Sequence, residues 1–208
     1  MTLTLYGAAR SRASMVRWYL EEKAIPYAFV QLELKSGEHR HEPFTTINPF
    51  GKVPALVDDA LASPDGGPLK LFESGAILFH LAERYSEEFD PQGPGGAEGA
   101  AARRSLTAQW LLFANASLGP AMFQLEARPE EFARQLATVD RLLAAGPHLL
   151  AGTWGDPGWG AADCVLQSYL AYIPLFCPQV DLSPYPAVQA AIEATRNRPT
   201  YQKAMGVV

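Results

Sequence analysis

Cysteine is nearly missing from this chain: Cys164 and Cys177 are the only two among 208 residues. They fall in what reads as a helix and the loop after it. Neither a disulfide framework nor a zinc site is therefore expected, and both are read as small buried hydrophobes. Long apolar runs are missing too. Nothing approaches the ~18 consecutive apolar residues of a membrane span. The chain passes at once into a strand-like LTLY, without the basic, apolar and small-residue succession of a signal peptide. Basic clusters are also absent. RSRASMVR holds three arginines spread among apolar residues, and the formal net charge is −5, which argues against nucleic acid as the main partner. A soluble, cytoplasmic protein with no membrane and no metal partner is the expectation that remains.

What is present suits a globular fold. Hydrophobic residues make up 48% and charged residues 19%, so a length of 208 residues admits one large or two small domains with a sizeable core. Leu3 to Tyr6 reads as a strand stopped by Gly7. Val16, Tyr19, Leu20 and Ala24 have helical spacing over 14–24. Pro26 ends that helix and Tyr27 to Leu32 reads as a second strand. His41 to Thr46 reads as a short irregular helix or turn. Strands over 53–58 and 69–72 flank Asp65-Gly66-Gly67-Pro68, which is strong turn chemistry. Ser74 to Tyr85 reads as a helix with Ile77, Leu78, Leu81 and Tyr85 on one stripe. The order βαβ then ββα predicts an α+β domain, a four-stranded mixed sheet with helices on its faces.

The composition then changes. Asp90-Pro91-Gln92-Gly93-Pro94-Gly95-Gly96 suits neither helix nor strand and marks a linker. Helical patterns follow over 98–125, 130–146, 161–173 and 186–197, with a short tail from Thr200. The expected division is a first domain over 1–85, a linker over 86–98 and an all-α domain over 99–208.

One local feature is unusual. Val53-Pro54 stands directly ahead of the strand-like Ala55-Leu56-Val57, and proline lacks the N–H that a ladder uses. Two readings are open. Pro54 marks a loop-to-strand boundary, or the bond is cis and leaves the N–H and C=O of Val53 free for an extended peptide.

Taken with LTLYGAARS and GEHRHEPFTTINPFG, the ordered elements Gly-Glu-His, Asn-Pro-Phe-Gly, Val-Pro-Ala-Leu and Glu-Ser resemble the soluble glutathione transferases. The likeness is to their serine-type members, among them phi-, theta- and beta-like and bacterial or cyanobacterial forms. It is strong over residues 3–85 and implies a thioredoxin-like first domain. Beyond that it rests on helical pattern and on Gly160-Ala-Ala-Asp163. The family usually opens that helix with Ser or Thr in a capping box, with an apolar staple residue that Trp159 supplies here.

The resemblance implies glutathione as co-substrate: a tripeptide with two carboxylates, an ammonium and a thiol. Ser74 and the free N–H groups of its helical turn suit the γ-glutamyl carboxylate, and Glu73 suits the ammonium. The plainer role of Ser74 is a helix cap. Val53, turned outward by Pro54, would pair with the cysteinyl backbone. His39 and Lys52 match positions that hold the glycyl carboxylate, Lys52 replacing a glutamine common there; Arg40 and His41 are weaker alternatives. A donor for the thiolate is expected in Arg10 to Ser14. Counting from the first strand selects Ser11. Ser14 is the runner-up, with helix N-cap as its plainer role, and Tyr6, Arg10 and Arg12 remain open. No cysteine occurs there, so the cysteine-dependent branches of the superfamily are excluded. An apolar electrophile pocket is expected from the helical half, with Trp110, Phe113, Leu118, Met122 and Phe123 as candidates.

The leading expectation is a homodimeric detoxification enzyme joining the glutathione thiolate to small hydrophobic electrophiles, with peroxidase side activity. A non-catalytic interaction module of the same fold is the alternative. Glutathione-dependent isomerisation or ether cleavage would use the same thiolate.

Overall fold

The structure, a computed structural model, describes residues 3–146, 148–153 and 155–206. By contacts they divide into two units, one running to Leu81 together with the stretch from Pro199 onward, the other Ala82–Arg198.

In the first unit β1 (Leu3–Gly7), α1 (Ala13–Glu22), β2 (Ala28–Gln31), β3 (Ala55–Ala62) and β4 (Pro68–Phe72) precede α2 (Ser74–Tyr85). The sheet order is β2-β1-β3-β4. β1 is parallel to β2 and antiparallel to β3, which is antiparallel to β4. This is the expected four-stranded mixed sheet. Leu5, Ala55 and Leu56 from the sheet and Val16, Trp18, Leu20, Ile77, Leu78 and Leu81 from the helices are all fully buried. Gly7 is required at the end of β1, because a Cβ there would lie 2.2 Å from that of Ala13. The β3–β4 turn works as its residues foretell: Gly66 takes φ +82°, and Asp65 Oδ1 accepts from the Gly67 N–H at 3.1 Å.

Three expectations shift. β3 begins at Ala55, not Val53, because Pro54 offers no ladder donor and the chain turns there through a cis bond. A second cis bond, Glu42-Pro43, was not foreseen; it sits between two 3₁₀ turns, Glu38–Arg40 and Phe44–Thr46. α1 begins one residue early, with Arg12 at its N-cap, so Ser14 lies inside the first turn and is not a cap.

The second unit holds α3 (Gly96–Phe113), α4 (Gly119–Phe123), α5 (Pro129–Ala144), α6 (Ala161–Phe176) and α7 (Pro186–Arg196). A π-helical turn, Ala114–Leu118, joins α3 to α4 and completes the long helix expected over 98–125. α6 runs through Pro174 in its last turn to Phe176, beyond the expected end at 173, since a proline there removes only one backbone donor. The segment before α3 is ordered by Arg103, only 3% exposed. Its Nε donates to Glu88 O at 2.9 Å, Nη2 donates to Asp90 O at 3.3 Å, and Nη1 donates to Pro94 O.

Gly160 caps α6 without a side chain, and another residue fills the gap. The Asp163 carboxylate accepts from Gly160 N–H at 3.2 Å and from Leu149 N–H at 3.0 Å. Burial pushes the Asp163 carboxyl up, opposed by those two bonds. The Glu88 carboxylate occupies the space a side chain at residue 160 would need and accepts from the Ala161 N–H at 3.0 and 3.2 Å. Trp159 Nε1 donates to Gln167 Oε1 at 2.9 Å.

The last helix, α8 (Pro199–Met205), belongs by its packing to the first unit. Its Tyr201 ring stands edge-on to Trp18 of α1 at 5.2 Å, and Lys203 pairs with Glu21 at 2.7 Å. The sequence pattern had grouped this tail with the other helices, because nothing in its spacing says what it packs against.

Candidate functional site

The cis bond before Pro54 and the left-handed turn before α2 meet at one cavity of about 570 Å³ in the first unit. Arg12, Arg40 and Lys52 give it positive charge, His39 stands among them, and Glu73 is the one carboxylate among its lining residues. Val53, Pro54 and Ser74 complete the set of expected binding residues, and all of them line it. Both strand partners of β3 pair from Ala55 onward, so Val53 stands outside the ladder at the cavity wall. An extended peptide has a strand edge to join at that point.

Glu73 takes φ +67°, rare for a residue with a side chain, and its carbonyl accepts from the Ile77 N–H at 3.0 Å as the first bond of α2. Ser74 follows as the first helical residue and is fully buried. The N-terminal turn of α2 therefore faces the cavity with backbone donors, a setting that favours an anion. Glu73 beside it adds an acceptor for a cation.

The two loops that carry the cations are fastened to each other. Gly51 has φ +57°, and a Cβ on it would lie 2.9 Å from the carbonyl oxygen of His39. Only glycine permits that approach. Asn48, 3% exposed, donates from Nδ2 to Lys52 O at 2.6 Å and accepts at Oδ1 from the Phe50 N–H at 3.1 Å. The side chain holds the turn that presents Lys52 and Val53. Asn-Pro-Phe-Gly carried a family resemblance but no assigned role; the positive φ of its glycine is what gives it one. His41 is exposed and is not part of the lining. Arg40 is.

The loop between β1 and α1 carries the candidate donors. Ser11 Oγ donates to Ala8 O at 2.7 Å and accepts from Ala13 N–H at 3.1 Å, so it shapes the start of α1. Ser14 is 3% exposed, and its hydroxyl is buried without a hydrogen-bond partner among the described residues. Tyr6 packs on Phe44 at 6.0 Å within a cluster that includes Leu32 and Ala55, a core role. Of Ser11, Arg12 and Ser14, it is Arg12 that lines the cavity.

In the second unit Trp110 and Phe113 are half-buried, with their rings edge-to-face at 5.7 Å. Met122 is 1% exposed, as is Leu118, and both pack in the interior of that unit. Phe123 remains 52% exposed, against Phe176 at 5.9 Å. The groups of three or more His, Cys, Asp or Glu that hold a metal do not occur among the described residues. No helix among them is long and apolar enough to cross a membrane.

Residues 1–83 match the family model described as glutathione S-transferase, N-terminal domain. Glutathione S-transferase 3 of Zea mays is 32% identical over 221 residues, covering 99% of this chain and 94% of the relative. A disulfide-bond oxidoreductase of Escherichia coli, YfcG, is 29% identical over 219 residues, covering 98% and 94%. Among solved structures, a glutathione transferase from Burkholderia graminis, with two glutathione molecules bound per subunit, superposes with a TM-score of 0.79 at 26% identity. That match covers 98% of this chain and 87% of the other.

Proposed function

Since the chain belongs to the glutathione transferase family, we propose that it joins the glutathione thiolate to small hydrophobic electrophiles. The observation that carries this reading is the convergence of Val53, the Glu73-Ser74 turn, His39 and Lys52 on one cavity. Each answers a group of the tripeptide. The α2 N-terminus with Ser74 takes the γ-glutamyl carboxylate, Glu73 its ammonium, the Val53 backbone the cysteinyl unit, and His39 with Lys52 the glycyl carboxylate. In the reaction the thiol proton leaves to solvent and sulfur attacks the electrophilic carbon. A C–S bond forms, and the leaving group departs with the electron pair of the bond that breaks. Trp110 and Phe113 are the residues we assign to the electrophile, while the burial of Met122 argues for packing instead.

The experiment is calorimetric titration of glutathione with Ser74→Ala and Glu73→Gln, alongside a conjugation assay. Loss of one charge-assisted bond weakens binding by about 1.5–3 kcal/mol. Unchanged affinity in both variants would remove the site assignment. Binding without conjugation of any electrophile would instead favour the non-catalytic module.

A second activity at the same site has a specific support. The relative named a disulfide-bond oxidoreductase aligns over nearly the whole chain, and the Burkholderia graminis structure holds two glutathione molecules per subunit. We propose that a bound thiolate also attacks disulfides. The S–S bond breaks as a mixed disulfide forms, and a second glutathione displaces the remaining thiolate to leave glutathione disulfide. No protein cysteine is required, which agrees with its absence from Arg10 to Ser14. Reduction of organic hydroperoxides uses the same two equivalents of glutathione and yields an alcohol and water. On the same family resemblance we further propose a cytoplasmic homodimer acting in detoxification, divided near residue 85 into glutathione-binding and electrophile-binding domains.

A further inference from the structure

We infer that the charge of Arg12, and not the hydroxyl of Ser11, holds the thiolate of the bound tripeptide. This rests on the glutathione site proposed above and adds the group that activates it. A serine hydroxyl has one proton to donate, and that of Ser11 already lies on Ala8 O at 2.7 Å while its oxygen accepts from Ala13 N–H. Donation to sulfur would break the bond that shapes the turn into α1. Ser14 is buried in the first turn of α1 and does not line the cavity. The Tyr6 ring is packed on Phe44. Arg12 does line the cavity, together with Val53, the residue assigned to the cysteinyl unit.

The start of α1 supports the same assignment. Arg12 stands at the N-cap, makes no capping bond with its side chain, and the first turn carries no acidic residue. A cation at a helix N-terminus opposes the helix dipole, so local propensity alone would not place one here. Such departures are expected at functional positions. A permanently charged guanidinium and the positive end of α1 act together on an anion brought to the cavity. An opposite charge within roughly 4–6 Å lowers an acid's pKa by about 1–3 units. From a free thiol near 8.5, that leaves roughly a quarter or more of bound glutathione ionised at neutral pH, against a few per cent unaided. The proton goes to water and the sulfur keeps its electron pair.

The test is a titration of bound glutathione by thiolate ultraviolet absorbance in the native protein, Arg12→Ala, Arg12→Gln, Arg12→Lys and Ser11→Ala. Each variant is also titrated calorimetrically with S-methylglutathione, which has no ionisable sulfur. Arg12→Ala and Arg12→Gln should raise the bound-thiol pKa by about one unit or more and lower kcat at pH 7 about tenfold, with recovery at high pH. Arg12→Lys should fall between them and the native protein. Ser11→Ala should leave that pKa where it was, whatever it does to overall rate through the turn. A raised pKa in Ser11→Ala with none in Arg12→Ala overturns the inference, and so does an Arg12→Gln variant that titrates like the native protein. Failure of the native protein to bind S-methylglutathione would overturn the site reading itself, and this inference with it.

Discussion

Replacing Gly160 by serine, the residue type the family pattern favours at that helix start, should destabilise this protein. Gly160 has φ −142° and ψ −168°, an extended conformation that serine adopts freely, so backbone strain plays no part. The obstacle is Glu88. A Cβ on residue 160 would lie 2.5 Å from Glu88 Oε2, which must then leave the Ala161 N–H that it now accepts from at 3.0 Å. A charge-assisted bond of that kind is worth about 1.5–3 kcal/mol, against a few tenths gained when serine replaces glycine as a cap. The net loss is about 1–2.5 kcal/mol, which for a chain of this size lowers Tm by roughly 2–10 °C. The assay is a double-mutant cycle by thermal melting at neutral pH with Gly160→Ser, Glu88→Ala and both together. In the Glu88→Ala background the serine has room to cap and its effect should reverse to slightly stabilising. A rise in Tm on Gly160→Ser alone, or the same loss in both backgrounds, would refute the reasoning.

Tyr27 offers a pH test. Burial, then its bond to Glu21 at 2.6 Å, pushes its hydroxyl up to about 12 from an ordinary 10.0. The folded state thus keeps a proton that the unfolded chain releases earlier. Stability from this group is complete below pH 10 and is lost as the pH approaches 12. Tyr27→Phe should flatten that part of the alkaline stability profile; chemical denaturation across this range with an unaltered slope would count against it. The proposed homodimer is checked by light scattering at micromolar concentration, where a mass of 22.6 kDa would mean a monomer.

Much of the first unit was legible because its signals are local. Proline before an apolar run, Asp-Gly-Gly at a turn and the apolar stripe of Ile77, Leu78 and Leu81 each constrain their own few residues, and the four strands and two flanking helices follow. Among the candidate binding residues, which the family resemblance supplied, Val53-Pro54 carries such a local signal, because proline offers no ladder donor; the positive φ of Glu73 is not one its residue type foretells. What the pattern did not disclose depends on contacts far along the chain. Gly51 matters through its approach to His39, and Asn48 through bonds to its own turn that need the turn to exist first. Counting from the first strand selects Ser11, but the acceptor that its hydroxyl meets, Ala8 O at 2.7 Å, becomes apparent only in the fold.

By itself, then, the sequence determined the order of strands and helices and the break in composition near Asp90, while the candidate binding residues came from its resemblance to a known family. The first two follow from periodicity and residue chemistry, which are carried in each short stretch of chain. Only the tertiary structure decided that α8 packs against α1, that Arg103 holds the segment before α3, and that Glu88 accepts from the first N–H of α6, at Ala161, 73 residues away. It also decided which member of Arg10 to Ser14 faces the cavity. Each of these joins groups distant in sequence, and a hydrogen bond or a close approach between such groups leaves no period and no motif behind.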